Sequence, residues 1–301
     1  MKILVLCGGT SEERDVSLRS GAGVAAALNE ADHEVGIADP ADHLDDDFLR
    51  SYDVIFPALH GPGGEDGSLQ ARLENLDIPF VGSDSQASAL CFDKWHYRQV
   101  MSKGGIAMPR GDTLQHHEHS EHELAQDLHV LKPITGGSSI DTFIVRDLGT
   151  IPYQAIAQTF ERHPKMLIEE LIDGTELTVG ILDKKPLPVI EIIPPVGGNF
   201  DYVNKYNGRT KEIVAPEHVS AETQAAAQQL AWQAHQLTGC RDFSRTDIMC
   251  DRDGRLLLLE TNTLPGMTDQ SLFPKAAAAA GITMSELVDQ LVRLAAARQG
   301  A

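Results

Sequence analysis

Leu257-Leu258-Leu259-Glu260-Thr261-Asn262 runs from pure hydrocarbon into a carboxylate and an amide two positions apart. On a strand, residues i and i+2 point to one face. Glu260 and Asn262 therefore present two oxygen donors side by side at the end of a buried strand. Hard oxygen donors of this kind suit Mg²⁺, which keeps waters and substrate phosphates in its shell. Just upstream, Phe243-Ser244-Arg245-Thr246-Asp247-Ile248-Met249 reads as a second strand, with Arg245 and Asp247 also two apart. Asp251-Arg252-Asp253-Gly254 between them is a hairpin turn signal. In the simplest two-residue-loop register Arg245 faces Glu260, and a bulge at Gly254 would shift that pairing. All four polar groups share one face. The competing reading is an ordinary salt-bridged hairpin, but burying three acid or amide groups in an apolar run costs too much to serve stability alone.

Composition narrows the function classes. The 301 residues are 42% hydrophobic, enough for two or three domains with cores of their own. The 44 acids against 25 bases give a formal net charge of -19. That balance argues against nucleic acid or anionic membrane as partners, so a phosphate ligand needs local lysines and backbone amides. Cys7, Cys91, Cys240 and Cys250 lie far apart without metal-ligand spacing, as expected of a reduced, cytoplasmic protein. The sequence enters a strand at Lys2 to Cys7, so no signal peptide is expected, and no apolar run is long enough to span a bilayer.

The first third alternates strand and helix: strands at 2–7, 33–38 and 54–59, helices at 16–29 and 68–76. That pattern argues a parallel sheet with flanking helices, where ligands gather at the carboxyl ends of strands. Gly8-Gly9-Thr10-Ser11 lacks the dinucleotide-binding spacing. One helix is expected over 88–103. The polar run Gln115 to His122 reads as a solvated loop entering a helix, in preference to a metal site, since no apolar shell would hold its histidines. His129 to Pro133 carries Lys132 into the core, and Gly136-Gly137-Ser138-Ser139 can wrap phosphates with its amides. Strands follow at 166–172, 176–182 and 188–193. The segment 197–208, with Lys205 and Tyr206, reads as a functional lid. Residues 221–238 are helical, and Thr283 with Glu286 forms a capping box for the last helix.

Taken together these pieces resemble the D-alanine–D-alanine ligase family of the ATP-grasp superfamily. The resemblance rests on Gly8 to Ser17, on His60-Gly61-Pro62-Gly63-Gly64-Glu65-Asp66-Gly67, on Asp93-Lys94 and Lys132-Pro133, on Arg245-Thr246-Asp247, and on Glu260 to Thr268. It covers nearly the whole chain. It implies an α/β fold of three parts: an N-terminal parallel-sheet domain (1–86), a central lobe (87–168) and a C-terminal lobe (169–301), the two lobes enclosing ATP. It implies ATP-dependent joining of two D-alanines through an acyl phosphate, for peptidoglycan. Asp247, Glu260 and Asn262 match the ligands of two Mg²⁺ ions, for which Mn²⁺ can substitute. Lys94, Lys132 and the lid residue Lys205 match phosphate lysines. Glu169, Glu170 and Ile172 match the adenine hinge, and Glu176 the ribose carboxylate. Glu13, with His60 beside it, matches the ammonium site of the first D-alanine, and Ser271 and Leu272 match the carboxylate site of the second. Arg245 and the Gly266 amide match the oxyanion stabilisers; Ser138 and Tyr206 match the residues that tie the lid to Glu13. Family members are often dimers, so the resemblance implies a homodimer acting on small molecules.

The chain departs from the pattern at Ile140-Asp141-Thr142, at Gly136, at Glu170 and in a shortened central stretch. A second substrate other than D-alanine, such as D-lactate or another D-amino acid, and a regulator that has lost catalysis are the rival readings. Tyr206 after Lys205 favours dipeptide formation, by resemblance.

Overall fold

The computed structural model describes residues 1–195 and 210–298. Three sheets follow one another along the chain, and each sequence-expected apolar run lands in one of them. The first is parallel, in order β2-β1-β3, built from β1 (Lys2–Leu6), β2 (Glu34–Ala38) and β3 (Val54–Pro57). β1 is buried from Ile3 to Leu6, as a central parallel strand covered on both faces must be. Helix α1 (Arg14–Glu30) covers one face; α2 (Asp46–Arg50) and α3 (Ser68–Asn75) cover the other.

Where one helix was expected over 88–103 there are two, α4 (Ser85–Phe92) and α5 (Lys94–Lys103). Asp93 breaks them apart. Its backbone is extended, its carboxylate caps the His96 amide at 2.8 Å, and it bridges to Thr135. The break orients Lys94 at the start of the second helix. The second sheet is antiparallel, in order β4-β7-β5-β6: β4 (Gly111–Gln115), β5 (His129–Pro133), β6 (Phe143–Val145) and β7 (Lys165–Glu170). Helix α6 (Tyr153–Arg162) closes its small, separate core of Leu114, Leu131, Ile156, Phe160, Met166 and Ile168. The histidine run is largely exposed, as expected, with one exception. It forms a 3-10 helix, His116–Glu121, that turns His119 inward to 3.3 Å from His129, and both rings are buried.

The third sheet runs β11-β10-β8-β12-β13, with the short β9 (Lys185–Pro186) on β8. Its strands are β8 (Gly174–Leu182), β10 (Ile190–Ile193), β11 (Lys211–Val214), β12 (Phe243–Asp251) and β13 (Leu256–Asn262). One face is covered by α4, α5 and α7 (Ala221–Thr238), through Tyr97, Met101, Ala227 and Ala231 against Leu177, Val179, Ile248 and Leu258. The other face shares a core with the first sheet: Leu182 and Phe243 join Ile3, Val5 and Val24, together with α8 (Leu272–Ala279) and α9 (Met284–Ala297). The Thr283–Glu286 capping box is present. Two of the three sheets are thus welded by one core, while the second sheet carries its own.

The hairpin register differs from the simplest one. Asp251 N–H reaches Arg255 O at 3.0 Å and Gly254 adopts φ +81°, so the loop has three residues, not two. A further shift falls between Asp247 and Ile248, where Leu259 is the extra residue. Arg245 therefore pairs with Asn262, and Asp247 with Glu260. The two shifts together amount to an even number of residues, so all four groups stay on one face.

Candidate active site

Two cavities meet on that face. The smaller, of about 100 Å³, is lined by Glu13, His60, Glu65, Ser138, Arg245, Asn262, Gly266, Ser271 and Leu272. The larger, of about 380 Å³, is lined by Lys132, residues 169–176, Asp247, Met249 and Leu259. Lys94, Gly136, Gly137 and Glu260 belong to both. The junction is thus a lysine, a carboxylate and two glycines.

Each wall has a local cause. Asp247 lies opposite Thr178 of β8, whose hydroxyl donates to it at 2.6 Å. Arg245 grips the same carboxylate in a fork, Nε at 3.0 Å and Nη2 at 2.8 Å. Asn262 Oδ1 accepts from the Leu264 amide at 2.8 Å, which turns the chain into the loop bearing Gly266. On the opposite face of the hairpin, Thr261 is pinned by Tyr97 at 2.6 Å and Thr246 at 3.0 Å. That fixes the strand carrying Glu260.

Lys132 and Glu169 form a buried pair at 2.6 Å, and Arg98 approaches the other Glu169 oxygen at 3.0 Å. Burial pulls Lys132 down, but Glu169 and Glu260 outweigh it and hold the ammonium above its ordinary value. Lys94 goes the other way. Burial lowers it despite Glu260, and its Nζ donates to Gly136 O at 2.6 Å. Lys94 thus anchors the glycine-serine loop, whose Ser138, Ser139 and Asp141 adopt positive φ. Glu170 is held by Arg110, through its backbone N–H at 2.7 Å and its Nε at 2.9 Å, while Ile172 and Glu176 line the larger cavity beside it.

In the smaller cavity Ser138 donates to Glu13. Glu13 is buried at the start of α1. His60 is also buried; burial and Arg245 push its imidazole down to about 4, so it is neutral at ordinary pH. Its Nε2 lies 3.3 Å from Ser20 Oγ, which also accepts from the Met267 amide at 3.3 Å, tying α1 to the C-terminal loop. Ser271 Oγ accepts from the Thr268 amide at 3.1 Å. A Cβ on Gly266 would meet that oxygen at 2.7 Å, so a side chain there would push the Ser271 hydroxyl out of place.

Every sequence-expected site residue that is described lines one cavity or the other. Lys205 and Tyr206 lie outside the described residues. Sequence reasoning gave no role to Glu65, Arg98 or Thr178. Glu65 stood in a quoted motif, but nothing in one sequence announces a buried carboxylate; Thr178 was legible only through the cross-strand partner of Asp247.

The comparisons with known proteins converge. Residues 38–83 match the family model for the D-ala D-ala ligase N-terminus, and residues 101–293 the model for the D-ala D-ala ligase C-terminus. The chain is 42% identical to a D-alanine–D-alanine ligase of Aromatoleum aromaticum over 95% of this chain and 93% of that one. It is 39% identical to one of Halalkalibacterium halodurans, over 98% and 99%. Among solved structures it is similar to the D-alanine–D-alanine ligase of Bacillus anthracis complexed with ATP (TM-score 0.84, 31% identity, 100% and 99% covered). It is also similar to the VanG D-Ala:D-Ser ligase of Enterococcus faecalis (TM-score 0.80, 27% identity, 97% and 98% covered).

Proposed function

The chain belongs to the D-alanine–D-alanine ligase family, and from that premise we propose that it joins two D-alanines at the expense of ATP in building peptidoglycan precursors. The observation that carries the reading is the meeting of the two cavities at Lys94 and Glu260. The larger is of nucleotide size and lysine-walled; the smaller is of amino-acid size and carries both acidic and cationic groups.

The carboxylate of the first D-alanine takes the terminal phosphoryl group of ATP, and the amine of the second then displaces phosphate from the acyl phosphate. Glu13 receives the first ammonium, with His60 beside it. Ser271 and Leu272 hold the second substrate. Arg245 and the Gly266 amide face the tetrahedral oxyanion. Lys94, Lys132 and Lys205 take the phosphates, and residues 169–172 with Glu176 take adenosine. Ser138 bonded to Glu13 is half of a clasp that Tyr206 completes, excluding water from the acyl phosphate. Asp247, Glu260 and Asn262 fit a hard dication: three oxygen-bearing side chains on one face, with a guanidinium already seated against one of them. Bound there, two Mg²⁺ ions, or Mn²⁺ in their place, would neutralise charge on the phosphates.

The same reading gives a three-part chain (1–86, 87–168, 169–301) and a cytoplasmic homodimer. Among the described residues no helix is long and apolar enough to cross a membrane. The test is dipeptide and ADP formation from ATP, Mg²⁺ and D-alanine. L-alanine should give neither, and D-serine or D-lactate as second substrate should be slower than D-alanine. Faster turnover with D-serine or D-lactate would reassign the second substrate, and no turnover with any of them would sink the ligase reading.

A further inference from the structure

The glycine-serine loop stands where the two cavities meet. Gly136 and Gly137 line both, Ser138 the smaller, and Ser139, Ile140 and Thr142 the larger. Its non-glycine residues include Ser138, Ser139 and Asp141 at φ +51°, +56° and +57°. A Cβ makes that region unfavourable, so the loop keeps this shape only where its surroundings hold it. Lys94 anchors the near end, its Nζ donating to Gly136 O at 2.6 Å. Ser138 ties the middle to Glu13. Asp141 holds the far end. Arg162, the last residue of α6, donates to one Asp141 oxygen at 2.6 Å, and His163 Nε2 sits 2.9 Å from the other. The end of one helix thus engages both oxygens of one carboxylate.

These contacts lie outside the cores. Arg162 is exposed and His163 half-buried, and an exposed ion pair adds little to global stability. What the contacts fix is the place of a segment. Burial raises the Asp141 carboxyl, but the hydrogen bonds from Arg162 and His163 outweigh burial and hold it below the usual carboxylate range. Helix α6 is itself rigidly placed, with Ile156 and Phe160 in the core of the second sheet. Asp141 is also one of the residues at which the chain departs from the family pattern.

We propose that Asp141 is a positioning residue for the nucleotide: its bonds to Arg162 and His163 hold the glycine-serine loop in its phosphate-receiving shape before ATP arrives. The proposal rests on the reading that the larger cavity receives ATP. A loop already in place does not have to be ordered on binding, and apparent affinity scales with the fraction of molecules in the competent shape. Bound phosphates then hold the loop themselves, so the effect falls on the KM for ATP and spares kcat.

The experiment is steady-state kinetics and hydrogen exchange on the full-length protein and its Asp141→Gly variant. Glycine accepts the positive φ and removes the carboxylate. The KM for ATP should rise about threefold to tenfold, with kcat changed less than about twofold and the melting temperature within a few degrees of wild type. A residue serving stability alone would lower the melting temperature and leave the KM unchanged. Arg162→Gln should also raise the KM for ATP, Arg162→Lys less so, and Asp141→Gly with Arg162→Gln no further than Asp141→Gly alone. Without nucleotide, the amides of residues 136–142 should exchange about tenfold faster in Asp141→Gly, and a non-hydrolysable ATP analogue with Mg²⁺ should erase the difference. An unchanged KM for ATP, additive effects in the double variant, or equal exchange without nucleotide would overturn the proposal. The nucleotide-free exchange needs no turnover, so it separates loss of this restraint from failure of the ligase reading, which absence of D-alanine-dependent ADP release by the wild type would show.

Discussion

The two cavities share a wall and handle charge in opposite ways. The larger one buries cations beside carboxylates: Lys132 and Arg98 both hold Glu169, and Lys132 stays firmly charged. The smaller one buries carboxylates beside backbone: Glu13 is met by a serine hydroxyl, and Glu65 by an amide. A chain of net charge -19 repels phosphate at a distance. Charge in this protein is set locally. The larger pocket pairs its cations with carboxylates, and the smaller sets carboxylates against a hydroxyl and an amide.

The largest effect should come from the residue common to both cavities. Glu260→Ala should lower kcat by about 10³-fold or more while the melting temperature stays within a few degrees, measured by coupled ADP release and thermal denaturation. Near-normal turnover would break the shared-wall account. Next is Lys132→Met, which leaves Glu169 with Arg98 alone. It should lower kcat/KM for ATP by roughly 10²-fold and leave the KM for D-alanine nearly unchanged. An equal effect on both substrates would show that the two pockets are not electrostatically separate.

The smallest effect is on stability. His60, His119 and His235 are all pushed down to about 4, chiefly by burial, from an ordinary 6.5. Below 6.5 the unfolded chain binds protons that the folded chain refuses. The stability these neutral rings contribute is complete above 6.5 and is lost as pH falls toward 4. The melting temperature should drop by on the order of 5 °C between pH 6.5 and 4.5, and replacing His119 with Gln should blunt the drop. An unchanged drop would clear the His119–His129 pair of any part in it.

Much of this was legible in the sequence because the signals were periodic or positional. The apolar runs became strands, the capping box at Thr283 formed, and the residues quoted for the two substrates line two adjoining cavities. What was missed depended on single residues whose meaning is tertiary. Asp93 breaks a helix because its carboxylate caps one and its backbone bridges to Thr135. Leu259 bulges out of β13 with no sequence mark, moving Arg245 from Glu260 to Asn262. His119 looked like surface until the 3-10 turn folded it under. Glu65 is an ordinary loop glutamate until Gly137 closes over it.

The central claim is that the β12–β13 hairpin holds Asp247 and Glu260 as cross-strand neighbours so that a divalent cation can sit against nucleotide phosphates. Electron paramagnetic resonance of Mn²⁺ titrated into the protein with ADP measures this without turnover. The account predicts tight, nucleotide-dependent Mn²⁺ binding in the wild type, weakened by roughly 10²-fold in Glu260→Ala and in Asp247→Asn. Equal Mn²⁺ affinity in the wild type and both variants would contradict it.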